Sequence, residues 1–155
     1  MRALFSVFPL LLIPVVFYNL VVFVFGPPAP DTVETAVAIT SPAMSWLGEV
    51  WLTLPMISGV NWEINGGDVL IILSMVLLFM EILKSTSTGT ATILNHAVSM
   101  ILFIVCLVEF IMHPGFATSV FFVITCMTLL DVLAGVVVTI VSARRDFAVG
   151  EGFSA

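Results

Sequence analysis

Charged residues are scarce in this chain, and that scarcity excludes most classes of fold. They make up 9% of its 155 residues, and only four residues are lysine or arginine, whereas 61% are hydrophobic. Soluble globular domains carry about 25% charged residues. The composition therefore excludes a water-soluble fold and predicts one integral membrane domain over residues 1–155.

Residues that would form a cofactor or metal site are equally sparse. Cys106 and Cys126 both lie inside apolar runs, where cysteine packs as a small side chain, and no CxxC motif is present. His96 and His113 are 17 residues apart on one predicted helix. That separation is about 25 Å, too far for both to ligate one haem. We therefore expect no enzyme activity, no cofactor, no metal and no nucleic-acid partner.

Four apolar runs predict four membrane crossings. They cover residues 3–25, 68–86, 91–112 and 118–142. A helix needs about 20 residues to cross the hydrocarbon layer. The fold class expected is an all-α integral membrane protein, a bundle of four transmembrane helices. Pro14 predicts a kink in the first helix.

The few basic residues predict the orientation of these helices. All four basic residues lie at helix ends that this topology places on the same side of the membrane; they are Arg2, Lys84, Arg144 and Arg145. The loop 26–67 has acidic residues but no basic one. Basic residues favour the cytoplasmic side. We therefore predict cytoplasmic N and C termini, an external loop 26–67, and a bacterial inner membrane as the location.

The external loop carries signals of an amphipathic helix at the membrane surface. Asp31 to Glu34 is a capping-box pattern, and Ser41-Pro42 places a cap before a proline at the first helical position. The helix is predicted to end at Leu54, before Pro55. Tryptophan favours the headgroup layer, so we interpret the three tryptophans as interfacial anchors; they are Trp46, Trp51 and Trp62. The alternative is that this face packs on the bundle or on a partner protein.

Polar residues recur at helical spacing within the last three runs, and such stripes face protein rather than lipid because an unpaired polar group in hydrocarbon is costly. The stripes are Ser74 and Glu81; Thr92, His96, Ser99, Cys106 and Glu109; and Thr128, Asp131, Gly135, Thr139 and Ser142. Asp68 is predicted to cap the second crossing.

Among the ionisable residues, Glu81 and His96 flank the short turn between the second and third crossings. Their similar depth predicts a hydrogen bond between them. Glu109 and His113 are expected to form a solvated pair at the outer surface. Asp131 lies near the bilayer centre, with no lysine or arginine in the membrane to pair with it. An intramembrane carboxylate is a functional candidate, although packing or a subunit contact also explains it.

Three functions remain compatible with this pattern. The first, which we favour, is a small non-catalytic accessory, assembly or scaffold subunit of a larger inner-membrane complex, with the lipid bilayer and other membrane subunits as partners. The second is a small proton- or ion-coupled transporter or channel that uses Asp131, Glu81 and His96. The third is a haem or quinone protein, for which one chain offers at most a five-coordinate haem site or shares a haem across a dimer.

Overall fold

The computed structural model describes residues 8–25, 42–85 and 90–151. The chain is mostly helical. Its elements are α1 (Leu12–Phe25), α2 (Pro42–Gly48), β1 (Val50–Pro55), β2 (Asn61–Asn65), α3 (Gly66–Ser85), α4 (Thr90–Met112), a single 3-10 turn (Pro114–Phe116) and α5 (Ser119–Glu151). The predicted capping box Asp31 to Glu34 lies outside the described residues.

Three of these helices are long and apolar enough to cross a membrane. The spans are Gly66–Lys84, Ile93–Met112 and Ser119–Val141. They agree with the second, third and fourth predicted crossings to within a few residues. Most of their large side chains are exposed on the protein surface, as expected of helices that face lipid. The chain is therefore a membrane protein.

The first apolar helix is shorter than predicted. α1 begins at Leu12 and has 14 residues, about 21 Å, which is less than the hydrocarbon layer. Pro14 lies in the first turn of α1, where a helix does not need the missing N–H group. The predicted kink at Pro14 is therefore wrong, because the described helix starts next to the proline instead of passing through it.

α5 is the helix against which α3 and α4 both pack, and α1 also contacts α3 and α5. The helical core has two ends, which we name after residues. At the Lys84 end, α3 ends and α4 begins; at the Thr118 end, α4 ends and α5 begins. The buried face of α1 repeats at helical spacing, through Leu11, Val15, Tyr18 and Val22.

The predicted amphipathic helix is only half as long as expected. A helix does begin at Pro42, but it ends at Gly48, and the chain continues as an antiparallel β-hairpin in which Leu52 pairs with Ile64 and Leu54 with Trp62. Gly59 takes a positive φ of 82° in the connecting turn, which favours glycine. The helix predicted to Leu54 is therefore wrong over its second half.

The start of α3 also differs from the prediction, which made Asp68 the cap. Asn65 is the cap: its side-chain oxygen accepts a hydrogen bond from the Asp68 amide at 2.9 Å, and the Asp68 carboxylate accepts one from the Asn65 amide at 3.1 Å. This reciprocal pair has the geometry of a capping box, with Asp68 at the third helical position. It joins the hairpin directly to α3.

Candidate functional site

Glu81 is the centre of a hydrogen-bonded cluster at the Lys84 end. Its side chain is fully buried. The carboxylate accepts hydrogen bonds from the Leu10 backbone amide at 2.8 Å, from Asn95 Nδ2 at 2.5 Å and from Lys84 Nζ at 3.0 Å. A buried charge is tolerated when it is paired and hydrogen-bonded, and both conditions are met here.

Lys84 extends this cluster to the segment before α1. Its ammonium group donates to the Phe8 carbonyl at 2.9 Å and to Asn95 Oδ1 at 3.2 Å, in addition to its ion pair with Glu81. The Lys84 side chain is 24% exposed, so the cluster reaches the surface of the protein. Glu81, Lys84 and Asn95 thus connect α1, α3 and α4 at one end.

The predicted hydrogen bond between Glu81 and His96 is wrong. Glu81 bonds to Asn95, the residue before His96, and neither His96 nitrogen has a hydrogen-bond partner within the described parts of the chain. The prediction used only the similar depth of Glu81 and His96 across a short turn. Depth does not fix the direction in which a side chain points, because neighbouring residues of a helix point about 100° apart. His96 turns towards α5 instead.

A second polar group lies deeper, between α4 and α5. Ser99 and Asp131 are 1% and 2% exposed, and His96 is partly buried. The Ser99 hydroxyl lies beside the Asp131 carboxyl group and His96 lies within electrostatic range of it, although no hydrogen bond of regular geometry joins the three side chains. Asp131 also lies within electrostatic range of Glu81 and Lys84. The two polar groups are therefore neighbours.

Four buried polar atoms in this second group have no hydrogen-bond partner among the described residues. They are His96 Nδ1, His96 Nε2, Ser99 Oγ and Asp131 Oδ1. Such atoms are uncommon in native proteins, where strain, a catalytic role or a bound water or ion accounts for them. Gly135 makes room for the His96 ring, because a Cβ atom at that position would overlap the ring.

The predicted pair of Glu109 and His113 is not formed by hydrogen bonding. Glu109 accepts a hydrogen bond from Asn19 Nδ2 of α1 at 3.2 Å. His113 Nδ1 accepts one from the Gly115 amide at 3.1 Å, and its ring contacts Phe116 at a centroid distance of 5.2 Å. Glu109 thus connects α4 to α1, and His113 shapes the turn before α5.

The core at the Thr118 end is aromatic. Tyr18 contacts Phe116 and Phe121 at ring-centroid distances of 5.6 and 4.8 Å, and Phe116 contacts Phe121 at 4.7 Å. The Tyr18 hydroxyl and Thr118 Oγ1 are 2.6 Å apart and share a hydrogen bond. These contacts hold α1 against the start of α5.

The predicted anchors Trp46, Trp51 and Trp62 divide into two kinds. Trp46 on α2 is half-buried and contacts the ring of Phe17 on α1, at a centroid distance of 5.4 Å. Trp51 and Trp62 lie on the two strands of the hairpin and are about half exposed. Their place at a membrane interface stays a prediction.

The polar stripes do face the interior, as predicted for Ser74, Ser99, Thr128, Asp131 and Glu81. Thr139, by contrast, is exposed and bonds to the Gly135 carbonyl of its own helix. Thr92 and Ser142 lie outside the described side chains. Sequence reasoning missed Asn95, although an asparagine beside a short turn at the depth of Glu81 was a usable signal.

The described residues provide no group of three His, Cys, Asp or Glu side chains that could hold a metal ion. Cys106 and Cys126 are free thiols inside the helices. No protein-family model matches the chain, and neither a curated protein nor a solved structure is significantly similar to it.

Proposed function

We propose that the chain is a non-catalytic accessory, assembly or scaffold subunit of a larger complex in a bacterial inner membrane. It crosses the membrane four times, as a helix bundle with both termini in the cytoplasm. The β-hairpin of residues 50–65 is its contact surface for another membrane subunit.

Contacts at both ends of α1 support the fourth crossing. At the Lys84 end, the Leu10 amide bonds to Glu81; at the Thr118 end, Tyr18 bonds to Thr118 and Phe23 contacts the His113 ring at 5.3 Å. α1 and the segment before it thus reach from one end of α4 to the other. A thinned bilayer or flanking residues accommodate a short hydrophobic stretch at modest cost.

The exposed hairpin is the observation that carries the subunit proposal. All six residues of β1 are exposed, among them Trp51, Leu52 and Leu54, and Ile57 at the turn has no contact that covers it. The hairpin has only two strands, so each keeps one edge without a backbone partner in the described part of the chain. Isolated two-stranded hairpins are marginally stable, and open edges pair readily with another strand.

Purification in mild detergent with identification of co-purifying chains tests the subunit proposal. We expect a stoichiometric membrane partner that is lost when Ile57 and Val60 are both changed to serine. The matched control is Ile111→Ser, another exposed apolar position, at the end of α4. Retention of the partner by the hairpin variant would reject the hairpin as the contact, and an isolated monomer or homodimer would reject the subunit function.

Cysteine labelling tests the orientation. Ser58→Cys lies in the hairpin turn, and Ser87→Cys lies between α3 and α4. In a background without Cys106 and Cys126, an impermeant thiol reagent should label position 58 but not position 87 in intact spheroplasts. Labelling of position 87 alone would reverse the topology.

A proton- or ion-coupled transporter or channel is the second candidate. The four unpartnered atoms around Asp131 favour it. Glu81 no longer belongs to the residues proposed to carry the ion, however. Its carboxylate is neutralised by Lys84 and accepts hydrogen bonds from three donors. If Asp131 serves packing or subunit contact, Asp131→Asn should keep the complex and its function, and Asp131→Leu should weaken assembly. Loss of function in Asp131→Asn with an intact complex would favour transport.

A further inference from the structure

Four ionisable residues of this protein lie together in the half of the core next to the Lys84 end. They are Glu81, Lys84, His96 and Asp131, whereas Glu109 and His113 lie at the Thr118 end, where both are partly buried. Two of the four, Glu81 and Lys84, neutralise each other in an ion pair. His96 and Asp131 are the two that retain unpartnered buried atoms within the described structure.

We propose that His96, Ser99 and Asp131 form an internal proton-binding site that opens only towards the Lys84 end. The proton is bound by the imidazole and the carboxyl group as a pair, with the Ser99 hydroxyl as an additional donor or acceptor. This inference does not require the subunit function, and it does not require transport.

The chemistry of the three groups favours a proton as the ligand. One proton shared between imidazole and carboxylate leaves the pair with no net charge, either as neutral histidine with carboxylic acid or as imidazolium with carboxylate. Removing that proton leaves one negative charge in the membrane, and adding a second leaves one positive charge. Either change is costly in hydrocarbon, so the pair titrates as one unit.

Among the described residues, the charged groups near the site are Glu81 and Lys84 of α3, which form an ion pair. The described residues before α1 reach the Glu81 cluster through backbone groups of Phe8 and Leu10. Within the described side chains, no titratable group other than this ion pair and His96 acts on Asp131.

The opposite half of the core closes the site on its far side. Between Asp131 and the Thr118 end, the buried side chains are largely apolar, and they include Leu102, Cys106, Phe121 and Ile124. The distance from Asp131 to the start of α5 is about 18 Å along the helix.

Three buried serine and threonine hydroxyls lie on that path in the described structure, and none is available to carry protons onwards. Ser74 donates to the Leu70 carbonyl at 2.7 Å, Thr125 to the Phe121 carbonyl at 2.9 Å and Thr128 to the Thr125 carbonyl at 2.7 Å. Each bond stays within one helix, so none continues a chain of polar groups between helices. The path towards the Lys84 end is different, because Asn95, Glu81 and the partly exposed Lys84 follow one another to the surface.

The chain offers a direct experiment, because His96 and His113 are its only two histidines. In protein labelled with ¹⁵N-histidine in lipid nanodiscs, His113→Gln assigns the two ring signals. We expect Asp131→Asn to change the ¹⁵N chemical shifts of the His96 ring, because it removes a charge near that ring. The ring signals of His113 should not change.

A second variant keeps the test informative if Asp131→Asn folds poorly. His96→Gln should change the pH dependence of the Asp131 carboxyl band in the infrared difference spectrum, and the band is assigned by its change in frequency in Asp131→Glu. Glu63→Gln, on the exposed strand β2, is the control and should leave that band unchanged. If the His96 ring signals and the Asp131 carboxyl band are each unaffected by loss of the other side chain, the shared site is rejected.

Proton flux tests whether the site is open to one side only. Liposomes that contain the protein and a trapped pH dye should equilibrate an imposed pH gradient no faster than protein-free liposomes, while the His96 signal still titrates. Flux that depends on Asp131 would overturn the one-sided site and favour the transporter. Loss of a partner complex would affect the subunit proposal alone, so the two failures are distinguishable.

Discussion

The two ends of the helical core are held together by different chemistry. At the Lys84 end, α1, α3 and α4 meet through charge-assisted hydrogen bonds of Glu81, Lys84 and Asn95. At the Thr118 end, α1 meets α5 through rings, chiefly Tyr18 and Phe121, with one hydroxyl contact. Because lipid is as apolar as a protein core, neither end gains from the hydrophobic effect as a soluble protein does.

The two kinds of contact fix different properties of the helices, namely their rotation about the helix axis and the close packing between them. A carboxylate with three donors fixes which face of each helix turns inward, since any rotation would leave a buried charge without partners. Interlocking aromatic rings tolerate small rotations but fill volume closely. The polar end therefore sets helix orientation and hosts ionisable groups, while the aromatic end seals the core.

The largest effect is expected at the polar end. Glu81→Leu removes the acceptor of the Leu10 and Asn95 hydrogen bonds and the carboxylate of the ion pair. Breaking a buried pair costs about 3–5 kcal/mol of unfolding free energy. Unfolding in mixed micelles with increasing SDS would measure it, with Glu63→Leu on exposed β2 as the control. Equal stability of the two variants would contradict a structural role for the cluster.

The aromatic end should give the next largest effect. Phe121→Ala leaves a cavity beside Tyr18 and Phe116, and such changes cost about 3 kcal/mol. Phe79→Ala is the control, because Phe79 is 61% exposed on α3 and its loss leaves no cavity. The same unfolding measurement applies. If the two alanine variants were equally stable, the rings at the Thr118 end would not be the close-packed seal described above.

Much of the fold follows from the sequence because bilayer thickness imposes one dominant length on apolar helices. That constraint gave the bounds of α3, α4 and the membrane part of α5. It says nothing about the connections, where Trp51 and Leu54 fit helical spacing and yet lie on a strand. The run of strand-forming residues after Gly48, followed by Ser58-Gly59, was the competing signal for a hairpin.

The candidate site was predicted only in part for a related reason. Depth along a helix can be counted from its ends, so Glu81 and Asp131 were identified as buried candidates. Rotation about the helix axis depends on which neighbours are available, and it decided between Asn95 and His96 as the partner of Glu81. The contact of Gly135 with His96 crosses between α4 and α5 and has no local sequence signal.

A smaller effect is expected where Gly135 meets His96. Gly135→Ala places a Cβ atom in the His96 ring, and overpacking of this kind costs about 1–2 kcal/mol, partly offset by the helix preference of alanine. In a His96→Ala background the same substitution should stabilise the protein. Gly48→Ala, which meets open space, is the control. Additive effects of the two substitutions would show that ring and glycine are not coupled.

The smallest effect concerns the hydroxyl group of Tyr18 at the aromatic end. Tyr18→Phe removes the hydroxyl that meets Thr118 Oγ1 at 2.6 Å but keeps the ring contacts with Phe116 and Phe121. Hydrogen bonds between membrane helices average about 0.6 kcal/mol, so the unfolding free energy should fall by about that amount. Thr118→Val should cost more, about 1 kcal/mol further, because Thr118 Oγ1 also accepts the Phe121 amide at the start of α5. In the Thr118→Val background, Tyr18→Phe should cost less than it does alone, since the partner is already gone. A loss for Tyr18→Phe as large as that for Glu81→Leu would erase the distinction between the two ends, because the aromatic end would then also depend on a polar bond.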